Sequence, residues 1–240
     1  MNERDARSLA RYRFPAINVY TGDKDHNEHV WQPYMGGPDG RHEIKKYIPL
    51  ATHPKILNLG ANWYEAKVYR ETGYDCTHLV MSTQVQELLT AEGFKCLMND
   101  MCEMLDIENE SFDGIISVQA LEHVWYPWKA LLEMYRVLRK GGRMVLNVPQ
   151  WHGKDINLDI PDNAMVNMQH VSCLHAHQMR FMIRTAGFRL LHQDVPDTCV
   201  QTLFCEKMSY EDLVSYPADG PLHNYYDAAH ANFLRDYCAI

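Results

Sequence analysis

The chain has 240 residues, is 46% hydrophobic and 22% charged, and carries a formal net charge of −8. That length allows one large domain with a sizeable core, and the composition is that of an ordinary soluble globular protein. An acidic balance without a block of like charge argues against nucleic-acid phosphate as the main partner.

Seven cysteines (Cys76, Cys96, Cys102, Cys173, Cys199, Cys205, Cys238) are scattered and never form a C-x-x-C pair. This usage points to free thiols in a reducing compartment. The opening "MNERDARSLARYRF" lacks the apolar core of a secretory signal. No apolar run approaches the roughly 20 residues that a membrane span needs. A cytoplasmic location is the expectation.

Residues 1–50 read as an irregular N-terminal cap. Within it "MGGPDGRHE" is a loop by its Gly, Pro and Asp content, and "HEIKKYIPL" is a short helix entering the core. "KILNLG", from Lys55, is a short apolar strand that ends at the turn glycine Gly60. "WYEAKVYRETG" is helical in composition and stops at Gly73, a residue suited to a left-handed helix end. "DCTHLVM" is the second strand, and Ser82 is placed to cap the helix "TQVQELLTAEG". "FKCLMND" is a third strand running to Asp100, and "FDGIISVQ" is a fourth.

In "YPWKALLEMYRVLRKGG", Trp128, Leu131, Leu132, Tyr135 and Leu138 recur with helical period, which predicts a helix burying these side chains. Pro127 starts it, Arg139 and Lys140 fall in its last turn, and Gly141 ends it. "RMVLNVP" is a fifth strand, apolar enough to be covered on both faces. After a loop over 150–175, "HQMRFMIRTAGF" is a helix, and "FRLLHQDV" with "CVQTLFCE" makes an antiparallel hairpin. Residues 207–240 read as a C-terminal extension of loop and short helix.

Strands alternating with helices predict an α/β fold with a mostly parallel sheet and right-handed crossovers. Ligands of such sheets sit at the carboxyl ends of the strands. The residues to interrogate there are Gly60 to Tyr64, Met81 and Ser82, Asp100 and Met101, Gln119, Ala120 and His123, and Gln150 to His152.

The run "ESFDGIISVQALEHVWYPWKALLEMYRVLRKGGRMVLNVP" carries Phe112, Asp113, Leu121, Glu122, His123, Val124, Arg136, Val137, Leu138, Gly141 and Gly142 in a telling order. It resembles the second half of the class I S-adenosylmethionine-dependent methyltransferases, of the UbiE and small-molecule type. "HVSCLHAHQMRFMIRTAGF" looks like the later segment of that family, from a loop histidine to a helix ending in A-G-F. The resemblance covers roughly residues 50–205. It implies a Rossmann-like methyltransferase fold over 51–206: a mostly parallel seven-stranded sheet with an antiparallel last hairpin and helices on both faces. It also implies S-adenosylmethionine as cofactor. Asn58, Gly60, Ala61 and Asn62 would approach its methionine part, with Met81 and Ser82 beside the ribose. Asp100 and Met101 would lie at the adenine, and Gln119 and Ala120 would line the cleft.

Two departures stand out. The family turn reads acidic-x-G-x-G-x-G, where this chain has Asn58, Gly60, Asn62 and Tyr64. Asn62 reaches positive φ more readily than most residues, but the Tyr64 ring would crowd the cofactor unless the loop moves. Val80 stands where the resemblance implies a carboxylate for the ribose hydroxyls. A lost charged hydrogen bond weakens binding by roughly 1.5–3 kcal/mol, or about 10- to 150-fold. Ser82 and His78 are the nearby candidates to replace it.

The implied reaction is an in-line displacement at a sulfonium methyl group, onto a small-molecule, sugar-like or lipid-like acceptor. It needs alignment and removal of a proton rather than a nucleophilic triad. His152 and His170, on the loop past the fifth strand, are the candidate general bases. Trp31, Tyr34, Trp125, Trp128 and Trp151 are candidates for an aromatic wall around a substrate, with the helical phase of Trp128 favouring the core instead. The competing reading is a methyltransferase-like binding or scaffold protein that has lost the reaction, for which Tyr64 and Val80 speak. A nicotinamide dehydrogenase would need G-x-G-x-x-G and an acid about 20 residues further on, and the chain has neither. His170, His175 and His177 lack a matching cysteine or carboxylate at a familiar zinc spacing, so no metal is expected, and His175 reads as a helix start.

Overall fold

The structure, a computed structural model, describes residues 44–150, 170–172, 174–195, 200–215 and 228–238. Its strands are β1 (Lys55–Leu59), β2 (Asp75–Val80), β3 (Lys95–Met98), β4 (Phe112–Val118), β5 (Leu138–Pro149), β6 (Phe188–Asp194) and β7 (Val200–Lys207). They form one sheet in the order β3-β2-β1-β4-β5-β7-β6. Strands β1 to β5 run parallel, and β7 is antiparallel to both β5 and β6. The chain winds outward from β1 to β3, then returns to β4 on the other side of β1. The switch point therefore lies at the carboxyl ends of β1 and β4.

Alternation along the strands supplies two buried faces. Leu57, Leu59, Ile115 and Leu146 point to one, where they meet Leu131 and Tyr135 of α3 (Pro127–Val137), Ile183 of α4 (Ala176–Thr185) and Leu234 of α6 (Ala228–Cys238). Ile56, Ile116 and Val145 point to the other, against Val68 and Tyr69 of α1 (Trp63–Thr72), Ile44 of a helical turn over 44–47 and Ile48 just after it. Helix α2 (Thr83–Ala91) packs Val85 and Leu89 on Val80 at the end of β2. A short α5 (Tyr210–Val214) precedes α6. No helix among the described residues is long and apolar enough to cross a membrane.

The helix ends follow from local chemistry. Asn62 caps α1 by accepting from Glu65 N at 3.0 Å, and Gly73 ends that helix with φ of 94°. The Ser82 hydroxyl accepts from Val85 N at the start of α2. His175 caps α4 by accepting from His177 N at 3.3 Å.

Helix α3 departs from its predicted extent. It stops at Val137, and "LRKGG" belongs to β5 instead of a last helical turn. Phe112 pairs with Leu138, then the register jumps to Gly114 with Arg143. Asp113 of β4 draws the segment outward: its carboxylate takes Arg139 Nε at 2.5 Å and Lys55 N at 2.9 Å. Gly142 fits this bulge because a Cβ there would lie 2.6 Å from Leu138 Cγ and 2.8 Å from the Arg139 carbonyl. Trp128 also departs from expectation. It is 38% exposed, stacks on Phe233 and donates to Thr185 Oγ1 at 3.3 Å. Its ring seals the seam of α3, α4 and α6 rather than entering the core.

Arg136 holds α3 to the loop that follows β3. It donates to the carbonyls of Met104 and Ile107, both at 2.7 Å, and to Glu133, whose Oε2 accepts from Met104 N at 2.7 Å. This mostly buried ion pair fixes the segment that begins at Asp100, just past the carboxyl end of β3.

Candidate functional site

Gly60 ends β1 with φ of 75°, and its N–H donates to the Leu79 carbonyl at 3.0 Å. A Cβ on Gly60 would lie 2.5 Å from Ala120 Cβ. The turns after β1 and β4 therefore touch across the switch point at a place only glycine fits. Ala61 and Ala120 are buried on either side of this contact.

Beneath the turn lies a buried polar group that the sequence reading did not assemble. Asn58 of β1 is in register with His78 of β2. The Asn58 amide donates to Glu65 Oε2 at 3.3 Å, and the same oxygen takes Asn62 N at 3.4 Å. Burial pushes the Glu65 carboxyl up to about 8, against the two hydrogen bonds that favour its ionised form. Burial also drives His78 down to about 4, so it is neutral near pH 7. Asn58 Oδ1, Asn62 Nδ2 and Glu65 Oε1 are buried without a hydrogen-bond partner. The only sequence signal was three polar residues in an otherwise apolar strand and helix start.

Tyr64 does not crowd the cleft. Its side chain is 2% exposed and sits in the core beside Ile56, Tyr69 and Ile116. Position 64 is already in the first turn of α1, which turns the ring under the sheet. Val80 is equally buried at 2%, among Ala61, Ala66, Val85 and Phe94, and offers no oxygen. His78 packs edge-on against Phe94 within the core, and Ser82 is occupied as a cap.

Asp100 ends the segment after β3. Its Oδ1 accepts from Cys102 N at 2.8 Å, a local turn bond that uses one of its two oxygens. Met101 points into the main core, and Met81 is half-buried after β2. Gln119 follows β4 in the left-handed region, with φ of 49°. Its amide donates to Asn147 Oδ1 at 2.8 Å, and Asn147 donates on to Thr202 Oγ1 at 2.9 Å. This chain crosses β4, β5 and β7. Asn147 was legible only as the one polar residue inside "MVLNVP".

Past Ala120 the segment Leu121–His123 forms a 3-10 turn. The Glu122 side chain is 1% exposed, with His123 Nε2 at 3.9 Å and His170 Nε2 at 3.8 Å from its Oε1. Burial pushes the Glu122 carboxyl up to about 8. Val171 N and Ser172 N donate to the Glu122 carbonyl at 2.9 and 3.1 Å, which staples the His170 segment to the turn. His175 and His177 stack on each other at the start of α4 and serve its cap. His152, Trp31, Tyr34 and Trp151 lie outside the described residues. Trp125 is exposed.

A family profile described as a methyltransferase domain matches residues 58–146. The chain is 32% identical over 90 residues to the ubiquinone/menaquinone biosynthesis C-methyltransferase UbiE of Syntrophotalea carbinolica, covering 38% of this chain and 37% of that protein. It is 29% identical over 86 residues to a probable S-adenosylmethionine-dependent methyltransferase of Mycolicibacterium smegmatis, covering 36% of this chain and 32% of that one. The chain thus spans about a third of the length of these curated relatives. Among solved structures, phosphoethanolamine N-methyltransferase 2 of Haemonchus contortus, in complex with S-adenosyl-L-methionine, superposes with a TM-score of 0.63 at 14% identity, covering 80% of this chain and 59% of that one. That is a likeness of fold.

Proposed function

We propose that this chain, whose residues 58–146 match a methyltransferase-domain profile, belongs to the class I S-adenosylmethionine-dependent methyltransferase family, binds S-adenosylmethionine at the switch point and methylates a small-molecule acceptor, sugar-like or lipid-like. The contact of Gly60 with Ala120 carries the reading: it is a cradle that a single Cβ would fill, placed where the family seats its donor. The donor, when bound, supplies a sulfonium methyl group as the electrophile.

The residues present fit two of the donor's three parts. Gly60 and Ala61 give backbone room for the methionine end, and Asn62 fixes the turn by capping α1. Asp100 keeps one carboxylate oxygen for the adenine amino group while the other holds Cys102 N. Gln119, held by Asn147, and Ala120 follow β4 on the switch-point side and would line the cofactor there. At the ribose the fit is poorer, because Val80 is apolar and packed. Donor affinity is expected to be about 10- to 150-fold below that of a site with a carboxylate there. Alignment of acceptor oxygen or carbon, methyl and leaving sulfur is then the protein's main contribution. The acidic balance of the chain, −8 without a basic block, favours a small acceptor over a nucleic acid.

Calorimetry with S-adenosylmethionine and S-adenosylhomocysteine tests this. Micromolar binding is expected, weakened at least tenfold in Asp100→Ala, with the fold checked by thermal unfolding because the turn bond from Cys102 N is lost too. A folded protein that binds neither ligand at millimolar concentration would instead be a methyltransferase-like scaffold.

A further inference from the structure

We propose that Glu122, His123 and His170 form a site for a divalent transition-metal cation, of which zinc is the type. One ligand atom from each residue lies within 4.8 Å of the other two. The observation that points to a ligand is Glu122 itself. Its side chain is 1% exposed, and neither carboxylate oxygen has a hydrogen-bond partner. Buried carboxylates are ordinarily paired or coordinate a metal. Here two imidazole Nε2 atoms face one of its oxygens at 3.8 and 3.9 Å, too far for hydrogen bonds.

Those separations suit an ion between them. Tetrahedral zinc with bonds of about 2.0–2.1 Å sets its ligand atoms about 3.3–3.4 Å apart. Modest side-chain rotations close the difference. The backbone is already committed. Glu122 and His123 are neighbours on one 3-10 turn, and the two hydrogen bonds from Val171 and Ser172 bring in His170 from 47 residues further along the chain than His123.

The donor set selects the class of ion. Two imidazoles and one carboxylate suit zinc, manganese, iron or cobalt, whereas magnesium and calcium prefer all-oxygen sets. Three protein ligands leave at least one position for water or for an oxygen of a bound molecule. His123, with 27% of its side chain exposed, lies on the open side. The site adjoins Ala120, which touches Gly60, so an ion here would stand at the rim of the switch-point cleft. It would recruit His170 as a ligand rather than as a free base. The proposal concerns cation binding alone and stands whether or not methyl transfer occurs.

The full chain, stripped with chelator, is titrated with zinc in a calorimeter and with cobalt under visible absorption. One equivalent should bind at micromolar affinity or tighter, with d–d bands and no thiolate charge-transfer band. His170→Gln and Glu122→Gln should each weaken binding at least 100-fold while circular dichroism stays native. His177→Ala, a surface histidine outside the set, should leave binding unchanged. Binding that survives His170→Gln undiminished, a thiolate band, loss of binding in His177→Ala, or no binding by the folded wild type would each overturn the site. Should Glu122→Gln fail to fold, His123→Gln takes its place with the same expected loss.

Discussion

Glu65→Gln is expected to make the chelator-treated protein more stable than wild type at pH 8, and to reduce the slope of stability against pH between about 6.5 and 8. The Glu65 carboxyl titrates near 8 in the folded state, against an ordinary value of 4.5. Over the interval between these values the folded chain holds a proton that the unfolded chain has released. Stability from this source is fully present below pH 4.5 and is lost as pH rises toward 8. His78 has the opposite sign. Its folded value is lowered to about 4, so the unfolded state takes the extra proton between about 4 and 6.5, and stability falls on the acid side. Below pH 6.5 the two oppose each other. Above it Glu65 acts with Glu122, whose folded value is also about 8. Each raised carboxyl then removes roughly 1.4 kcal/mol per pH unit, or about 2 kcal/mol over the window. Glutamine keeps the acceptor that Asn58 and Asn62 N–H use, and it has no proton to lose. About half of the slope from these two acids should disappear, and the melting temperature at pH 8 should rise by roughly 4–8 °C. Parallel wild-type and variant curves across this window would mean that Glu65 is already ionised when folded.

The same buried group shows where sequence reasoning reached and where it stopped. Patterns that depend on neighbours in the chain were legible. Gly73 at a helix end, Ser82 and His175 as caps, and the antiparallel hairpin of β6 and β7 all follow from local chemistry and period. The seven-stranded sheet with its antiparallel last pair also stands as read. What depended on contacts between distant segments was not legible. Helical period ran on through Leu138, yet Asp113, on another strand, pulls Arg139 into the sheet. Trp128 has the phase of a core residue, but α6 covers it only partly and leaves it in a seam. Tyr64 looked obstructive in a turn motif, and its first-turn position in α1 buries it in the opposite direction. At the candidate site, Gly60, Asp100 and Gln119 could be picked out because they follow strands, and Asn58 because the resembled turn pattern begins there. Glu65 and Asn147 could not, because each acts through a partner on a neighbouring element. His170 was picked as a base from its loop alone, and its neighbours Glu122 and His123 were visible only once the chain was folded.

Gly60→Ala should destabilise the protein by about 2–5 kcal/mol and abolish measurable binding of S-adenosylhomocysteine at concentrations that saturate wild type. Two separate terms act at this position. The first is conformational: φ of 75° is left-handed, which costs an L-residue about 1–2 kcal/mol. The second is steric, because the new Cβ would come 2.5 Å from Ala120 Cβ, and overpacking of this kind costs about 1–3 kcal/mol. A double-mutant cycle separates them. In Gly60→Ala with Ala120→Gly the clashing methyl is gone, and the next atom, Ala120 Cα, stands at 3.7 Å, an ordinary contact. The steric term should therefore be recovered and the conformational term should remain, leaving a favourable coupling of about 1–3 kcal/mol. Ligand binding should return in part, since the turn regains its path but keeps a strained residue. If the two changes were simply additive, the turns after β1 and β4 would not be in contact in solution, and the switch-point cradle on which the donor site depends would not exist as drawn. Ala120→Gly alone supplies the reference, with an expected loss of about 0.5–1 kcal/mol from added backbone freedom.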